Sequence, residues 1–83
     1  MPYSGNPLLA REIDASGQFL VIVTRRGRYE VPWDLCSERL ARATEGERKE
    51  ARLSPSGFGI HWPLLDEDLT VEGLVLSVDP KAV

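Results

Sequence analysis

The sequence has one cysteine, Cys36, one histidine, His61, and no long apolar run. A single cysteine excludes an intramolecular disulfide. The longest apolar stretch, Phe19–Val23, is far shorter than the roughly 20 residues of a membrane-spanning helix. The first residues have neither the basic start nor the apolar run of a signal peptide. We therefore expect a cytoplasmic protein with no membrane association.

Motifs that carry catalysis or bind cofactors are also missing. No Gly-rich phosphate loop, nucleophile elbow or zinc-ligand spacing is present. Cys36 and His61 lie far apart without a motif around either, which is weak support for nucleophilic catalysis. Asp66 and Asp68 resemble the start of a calcium loop, but Val71 stands where that loop needs glycine. We expect no cofactor, no metal and no enzymatic activity; an enzyme that uses His61 with Asp66 or Asp68 is a minor alternative.

Charge of either sign is modest and unevenly spread. The net charge is −3, whereas a protein that binds nucleic acid usually has a basic surface. Residues 1–52 hold nine basic and eight acidic residues, while residues 53–83 hold one basic and five acidic. With 83 residues, apolar burial barely offsets the entropy of ordering the chain. A protein partner or a second copy of the chain would add useful burial.

Alternating apolar residues and turn signals predict one α+β domain over residues 8–76, with flexible termini at 1–7 and 77–83. The expected fold is a small antiparallel sheet with short helices, in the order βββ-α-ββ-α. The strongest strand signal, Gln18–Thr24, is apolar on both faces. That pattern predicts a central strand covered on both sides.

Helix signals occupy the middle and the end of the chain. Asp34 is placed to cap a helix over about residues 35–43. Thr44 and Glu47 have the spacing of a capping box, which predicts a second short helical turn. Thr70 is placed to cap a last helix.

The segment before that last helix combines a strand signal with an acidic cluster. Alternation predicts a strand whose core-facing residues are Phe58, Ile60 and Trp62. The carboxylates of Asp66, Glu67 and Asp68 then form an exposed corner, predicted to complement the dipole at the helix N-terminus.

Two groups of residues are candidate interaction surfaces. Arg25, Arg26 and Arg28 crowd one predicted hairpin tip, which could contact phosphates or remain a solvated tip. The second group spans the end of the predicted strand and the acidic corner after it, and it comprises His61, Trp62, Asp66, Glu67 and Asp68. In it, Trp62 is either a core residue or an exposed aromatic anchor at a protein interface.

The second group lies within a longer motif that resembles the end of the domain-of-unknown-function family 2442. The motif is Gly57-Phe-Gly-Ile-His-Trp-Pro-Leu-Leu-Asp-Glu-Asp-Leu-Thr-Val-Glu-Gly-Leu74. The likeness extends over about residues 10–76 and departs at Ser37-Glu38 and after Leu74. It implies an α+β fold with an antiparallel sheet and no established catalytic residues. It also implies a gene often located beside that of a small partner, the domain-of-unknown-function family 4160, as in toxin–antitoxin pairs.

We therefore expect a bacterial, non-enzymatic protein-interaction module, antitoxin-like or regulatory, with a protein partner or a homo-oligomeric state. The alternative is a small nucleic-acid-associated domain that contacts phosphates through the Arg25–Arg28 tip.

Overall fold

Six strands and four helices follow one another along residues 7–82, the part of the chain that the computed structural model describes. The predicted α+β class is confirmed, and the observed order is βββ-ααα-βββ-α. The predicted flexibility of residues 1–6 and 83 lies outside the described residues. The elements are β1 (Ala10–Asp14), β2 (Phe19–Thr24), β3 (Gly27–Pro32), α1 (Trp33–Cys36), α2 (Glu38–Ala41), α3 (Glu45–Lys49), β4 (Arg52–Leu53), β5 (Gly59–Trp62), β6 (Glu67–Thr70) and α4 (Val71–Val78).

The first sheet is antiparallel, and β2 lies between β1 and β3. The turn from β2 to β3 contains only Arg25 and Arg26, and Gly27 follows it at φ 138°. A residue other than glycine rarely adopts that φ, so Gly27 suits the tight hairpin. The predicted strand, hairpin and strand are therefore present.

The two faces of β2 have different surroundings. Leu20 and Ile22 are 0% exposed and pack with Val31 in the core. On the opposite face, Phe19 is 42% exposed, and Val21 is only half-buried. The prediction that β2 is covered on both sides is wrong, because the other elements all pack against one side.

The middle helix is shorter and more broken than the sequence indicates. Ser37 has extended backbone at φ −170°, which separates α1 from α2, and its hydroxyl accepts a hydrogen bond from the N–H of Leu40. Asp34 lies in the first turn of α1 and does not cap it. The capping box of Thr44 and Glu47 is present at the start of α3.

The second sheet is antiparallel, with β5 between β4 and β6. Ile60 and Trp62 are buried as expected, but Phe58 is 46% exposed and precedes the strand. Thr70 caps α4 through a hydrogen bond from the N–H of Gly73. The predicted flexible tail does not begin at residue 77, because α4 continues to Val78. Ala82 is only 3% exposed and belongs to the core.

Two tryptophans and one arginine join the two sheets to the helices. The rings of Trp33 and Trp62 make a T-shaped contact with centroids 6.4 Å apart. The Arg48 guanidinium lies 5.3 Å from the Trp33 ring centroid. The Trp33 indole donates to the Gly17 carbonyl and the Trp62 indole to the Arg48 carbonyl. Both buried indole N–H groups are thus satisfied, as burial requires.

A glycine fixes the approach of the second sheet to the first. The Gly57 carbonyl accepts a hydrogen bond of 2.8 Å from the Ala10 N–H. Gly57 has φ 80°, and a Cβ at this position would lie 2.3 Å from the Ala10 carbonyl oxygen. Both the backbone conformation and the close approach therefore require glycine.

Replacing Arg48 by Met should lower the free energy of unfolding by about 2 kcal/mol. The guanidinium donates to the Leu40 and Ala41 carbonyls as well as lying over Trp33, and Met replaces none of these contacts. Urea unfolding followed by tryptophan fluorescence measures the change. The matched control is Arg42→Met, since within residues 7–82 the Arg42 side chain makes an exposed pair with Glu38 at 3.8 Å and no other ion pair. If Arg42→Met lowered the free energy of unfolding as much as Arg48→Met, the stabilising role of the Arg48 contacts would be contradicted.

Replacing Gly57 by Ala should cost roughly 2–4 kcal/mol, because the positive φ and the steric overlap add. In the control Gly17→Ala, the new Cβ meets no atom within 4 Å, and we expect a change within about 0.5 kcal/mol. Chemical denaturation of both variants provides the comparison. Equal stability of the two would show that the contact with β1 is not tight.

Candidate functional site

The predicted interaction residues are divided among three environments on the β5–β6 hairpin. Trp62 is 0% exposed, so the structure assigns it to the core and not to a surface anchor. Asp66 is an exposed turn residue with φ 50°. Glu67 pairs with Trp62 across the hairpin, whereas Asp68 pairs with His61 on the opposite face of the sheet. The five residues do not form one surface.

The prediction that the acidic corner lies at the N-terminus of the last helix and complements its dipole is wrong. Glu67 and Asp68 lie in β6, and α4 begins only at Val71. The turn itself is held by Arg39, whose Nη1 donates to the Leu65 carbonyl at 2.8 Å. The carboxylates alternate along a strand, so they cannot act together at a helix end.

His61 and Asp68 form a cross-strand pair. The distance from His61 Nδ1 to Asp68 Oδ1 is 2.9 Å, and the side chains are 43% and 76% exposed. A carboxylate only accepts hydrogen bonds, so Nδ1–H is the donor and Nε2 remains the free ring nitrogen. In the minor enzymatic hypothesis, Asp68 has the geometry to orient His61. Among residues 7–82, no hydroxyl or thiol is hydrogen-bonded to the His61 ring.

A groove of about 430 Å³ lies on the same side of the second sheet. We call it the second-sheet groove, and it is mostly apolar. Its lining residues are Arg52, Leu53, Ser54, Pro55, Phe58, Gly59, Ile60, His61, Asp68, Leu69 and Thr70.

Strand register explains how the polar part of this groove is assembled. Arg52 pairs with His61, and His61 pairs with Asp68, so the three side chains form one row across the sheet. Gly59 lies two residues before His61 on the same face and contributes no side chain. Arg52 and Phe58 were not among the residues predicted for this site. The alternation that turns Gly59 and His61 away from the core was the signal in the sequence that pointed to this face.

The hairpin arginines are exposed, as predicted for a solvated tip. Arg28 Nη1 lies 2.8 Å from Glu30 Oε2 and is paired with it. Tyr29 is half-buried on the core-facing side, opposite Ile22, and therefore does not stack beside the arginines. Nucleic-acid binding at this tip stays a prediction that no specific contact favours.

The outer face of the first sheet consists of the β2 residues Phe19, Val21 and Val23 and their neighbours on β1 and β3. Val23 lies between Glu12 and Arg28, Val21 between Asp14 and Glu30, and Phe19 pairs with Pro32. This face is an apolar strip bordered by charged side chains, which we call the frame. The frame carries three acidic side chains and one basic side chain.

Local hydrogen bonds keep that frame acidic. The Ser16 hydroxyl donates to Asp14 Oδ1 at 2.6 Å and the Ser16 backbone N–H at 2.9 Å. These bonds, and secondarily the charge of Arg28, hold the pKa of Asp14 below its usual range. Asp14 is therefore ionised throughout the neutral range.

Chemistry that needs a thiolate or a metal has little support among residues 7–82. Burial raises the pKa of the Cys36 thiol to about 12, with a smaller opposing effect of Arg48. A neutral, half-buried thiol is a poor nucleophile. No group of three or more His, Cys, Asp or Glu side chains in this range could hold a metal ion. None of its helices is long and apolar enough to cross a membrane.

Comparison with known proteins identifies relatives of unknown function. A family model described as "Protein of unknown function (DUF2442)" matches residues 26–79. A crystal structure of a protein of unknown function from Rhodospirillum rubrum ATCC 11170 is similar, with a TM-score of 0.71 and 25% sequence identity. The match covers 83% of this chain and 86% of that one. Comparison with the curated proteins gives no match.

The raised pKa of Cys36 predicts slow modification of the native protein. At pH 8 the thiol is protonated, so iodoacetamide should react much more slowly with native protein than with protein in urea. Above about pH 9 the unfolded thiol ionises while the native thiol does not. The contribution of Cys36 to stability therefore falls between about pH 9 and 12. A Cys36→Ala variant should lack that part of the pH dependence, and equal labelling rates for native and unfolded protein would refute the prediction.

Proposed function

The chain belongs to the DUF2442 family, and we propose that it is a non-enzymatic protein-interaction module that binds a small protein through the outer face of its first sheet. In this proposal it acts in the bacterial cytoplasm as an antitoxin-like or regulatory partner. A free, half-buried thiol suits a reducing compartment.

One observation carries the proposal: the central strand is apolar on both faces, but the fold covers only one of them. Phe19 remains 42% exposed at the end of the strip, and Val21 and Val23 are only half-buried and lie outside the core cluster. Apolar side chains in a row on an open sheet face are typical of an interaction surface. Covering them would add the burial that so small a chain needs.

The charges around the strip favour a different protein over a second copy. Asp14 and Glu30 flank Val21 in one row of the sheet. If two copies packed face to face about Val21, either two-fold arrangement would place carboxylates opposite carboxylates, which is unfavourable. The complement is a partner whose apolar surface is bordered by Lys or Arg.

The non-enzymatic part of the proposal draws on the surroundings of His61. Asp68 orients the ring, but nucleophilic catalysis also needs a nucleophile beside it. The two hydroxyls in the same groove accept backbone hydrogen bonds: Ser54 from Phe58 and Gly59, and Thr70 from Gly73. These bonds give both hydroxyls structural roles.

Co-expression with the product of the adjacent gene, followed by size exclusion with light scattering, tests the proposal. We expect one complex at micromolar concentration. Phe19→Lys places a cation on the strip opposite a basic partner and should weaken the complex at least about tenfold. The matched control is Leu64→Lys, because Leu64 is 61% exposed in the β5–β6 turn. This substitution should leave the affinity for the partner unchanged.

Two separate peaks at micromolar concentration would overturn the proposal. A homodimer in place of the complex would overturn the choice of a different protein as partner. Equal weakening by Phe19→Lys and Leu64→Lys would remove the outer face from the interface. Circular dichroism of both variants verifies that each lysine leaves the fold intact.

A further inference from the structure

We propose that the second-sheet groove binds a small amphiphilic carboxylate, with Arg52 holding the carboxylate and the apolar walls holding the rest of the ligand. This site is separate from the outer face of the first sheet and does not depend on the proposed protein partner. It lies on the other sheet and uses other residues.

The size and lining of the groove suit a small apolar ligand. Its volume of about 430 Å³ is within the range of small-molecule sites. Phe58 is 46% exposed at its wall, although the alternation of the strand would place it in the core. Phe58 lines the groove together with Pro55, and its exposed aromatic ring offers a surface against which the apolar part of a ligand can pack.

The wall of the groove is held in place before any ligand binds. Ser54 Oγ accepts hydrogen bonds from the N–H groups of Phe58 and Gly59, both at 3.1 Å. The Ser54 N–H donates to the Gly59 carbonyl, and the Gly57 N–H donates to the Ser54 carbonyl. These bonds fix the β4–β5 loop, so binding pays little entropy to order it.

The charges of the row of Arg52, His61 and Asp68 favour a ligand with one negative charge. Asp68 already accepts the hydrogen bond of His61 at 2.9 Å. Among residues 7–82, Arg52 makes no ion pair and is the unneutralised cation that lines the groove. A guanidinium binds a carboxylate through two parallel hydrogen bonds. The Asp68 carboxylate in the same row disfavours a dianion such as phosphate.

Gly59 has no side chain and leaves the floor of the groove open, so a substitution at this position can fill part of the groove. A Cβ at Gly59 would lie 3.4 Å from the Leu69 carbonyl oxygen, an ordinary contact, and its φ is not positive. Alanine therefore fits the fold and takes space from the groove. Since glycine weakens a strand interior, Gly59→Ala should keep or slightly raise the melting temperature.

The test uses 4-phenylbutyrate and its neutral amide, 4-phenylbutyramide, titrated into the full chain and followed by ¹H–¹⁵N NMR. We expect the carboxylate to bind about tenfold or more tightly than the amide, with shifts centred on Gly59 and His61. Arg52→Gln should abolish that preference. Arg26→Gln, which removes an exposed arginine that does not line the groove, should preserve it.

Gly59→Ala should weaken both probes several-fold without loss of stability. Absence of binding by either probe up to about 10 mM would overturn the site. Equal affinity for carboxylate and amide, or a preference that survives Arg52→Gln, would overturn the role of Arg52. Shifts centred on Phe19 and Val21 would place the ligand on the first sheet and also overturn the assignment.

Discussion

The contact of Trp33 with Trp62 beneath Arg48 is the constraint on which the rest of the structure depends. Trp33 directly follows the first sheet and Trp62 ends the central strand of the second, so their edge-to-face contact at 6.4 Å fixes the distance between the sheets. The guanidinium of Arg48 ties α2 to the same cluster through the carbonyls of Leu40 and Ala41. Each buried polar group finds a partner from a distant segment, which favours this one arrangement over other compact states.

This constraint decides which surfaces are left open. The core-facing sides of both sheets, together with α4, are used to enclose the two indoles and the aliphatic residues around them. Among residues 7–82, no further element covers the other side of either sheet. The outer face of the first sheet and the second-sheet groove are therefore surfaces that these elements leave open. Both lie on central strands, which are the most firmly held parts of a sheet.

Local chemistry made much of the fold predictable: the β2–β3 hairpin at Gly27, the capping box at Thr44 and the cap at Thr70 all use contacts within a few residues. β6 was not predictable in this way. Three of its four residues are acidic or polar, and they form a strand because β5 offers partners across the turn at Asp66. The groove was missed for a similar reason, since Arg52 is nine residues before His61 and becomes its neighbour only through strand register. The family resemblance was confirmed, but it indicates no function for either surface.

The two open surfaces differ in shape, and the difference bears on what each can bind. The outer face of the first sheet is a strip along β2, which a partner of comparable extent could cover. The second-sheet groove is concave and is lined by Arg52, which makes no ion pair among residues 7–82, and this combination suits a small ligand. A hydrogen bond from the Ala10 N–H to the Gly57 carbonyl connects the two surfaces. Gly57 lies in the loop that forms the groove wall, and Ala10 begins β1, the strand that borders the strip. That hydrogen bond therefore links the groove wall to the edge strand beside the outer face of the first sheet.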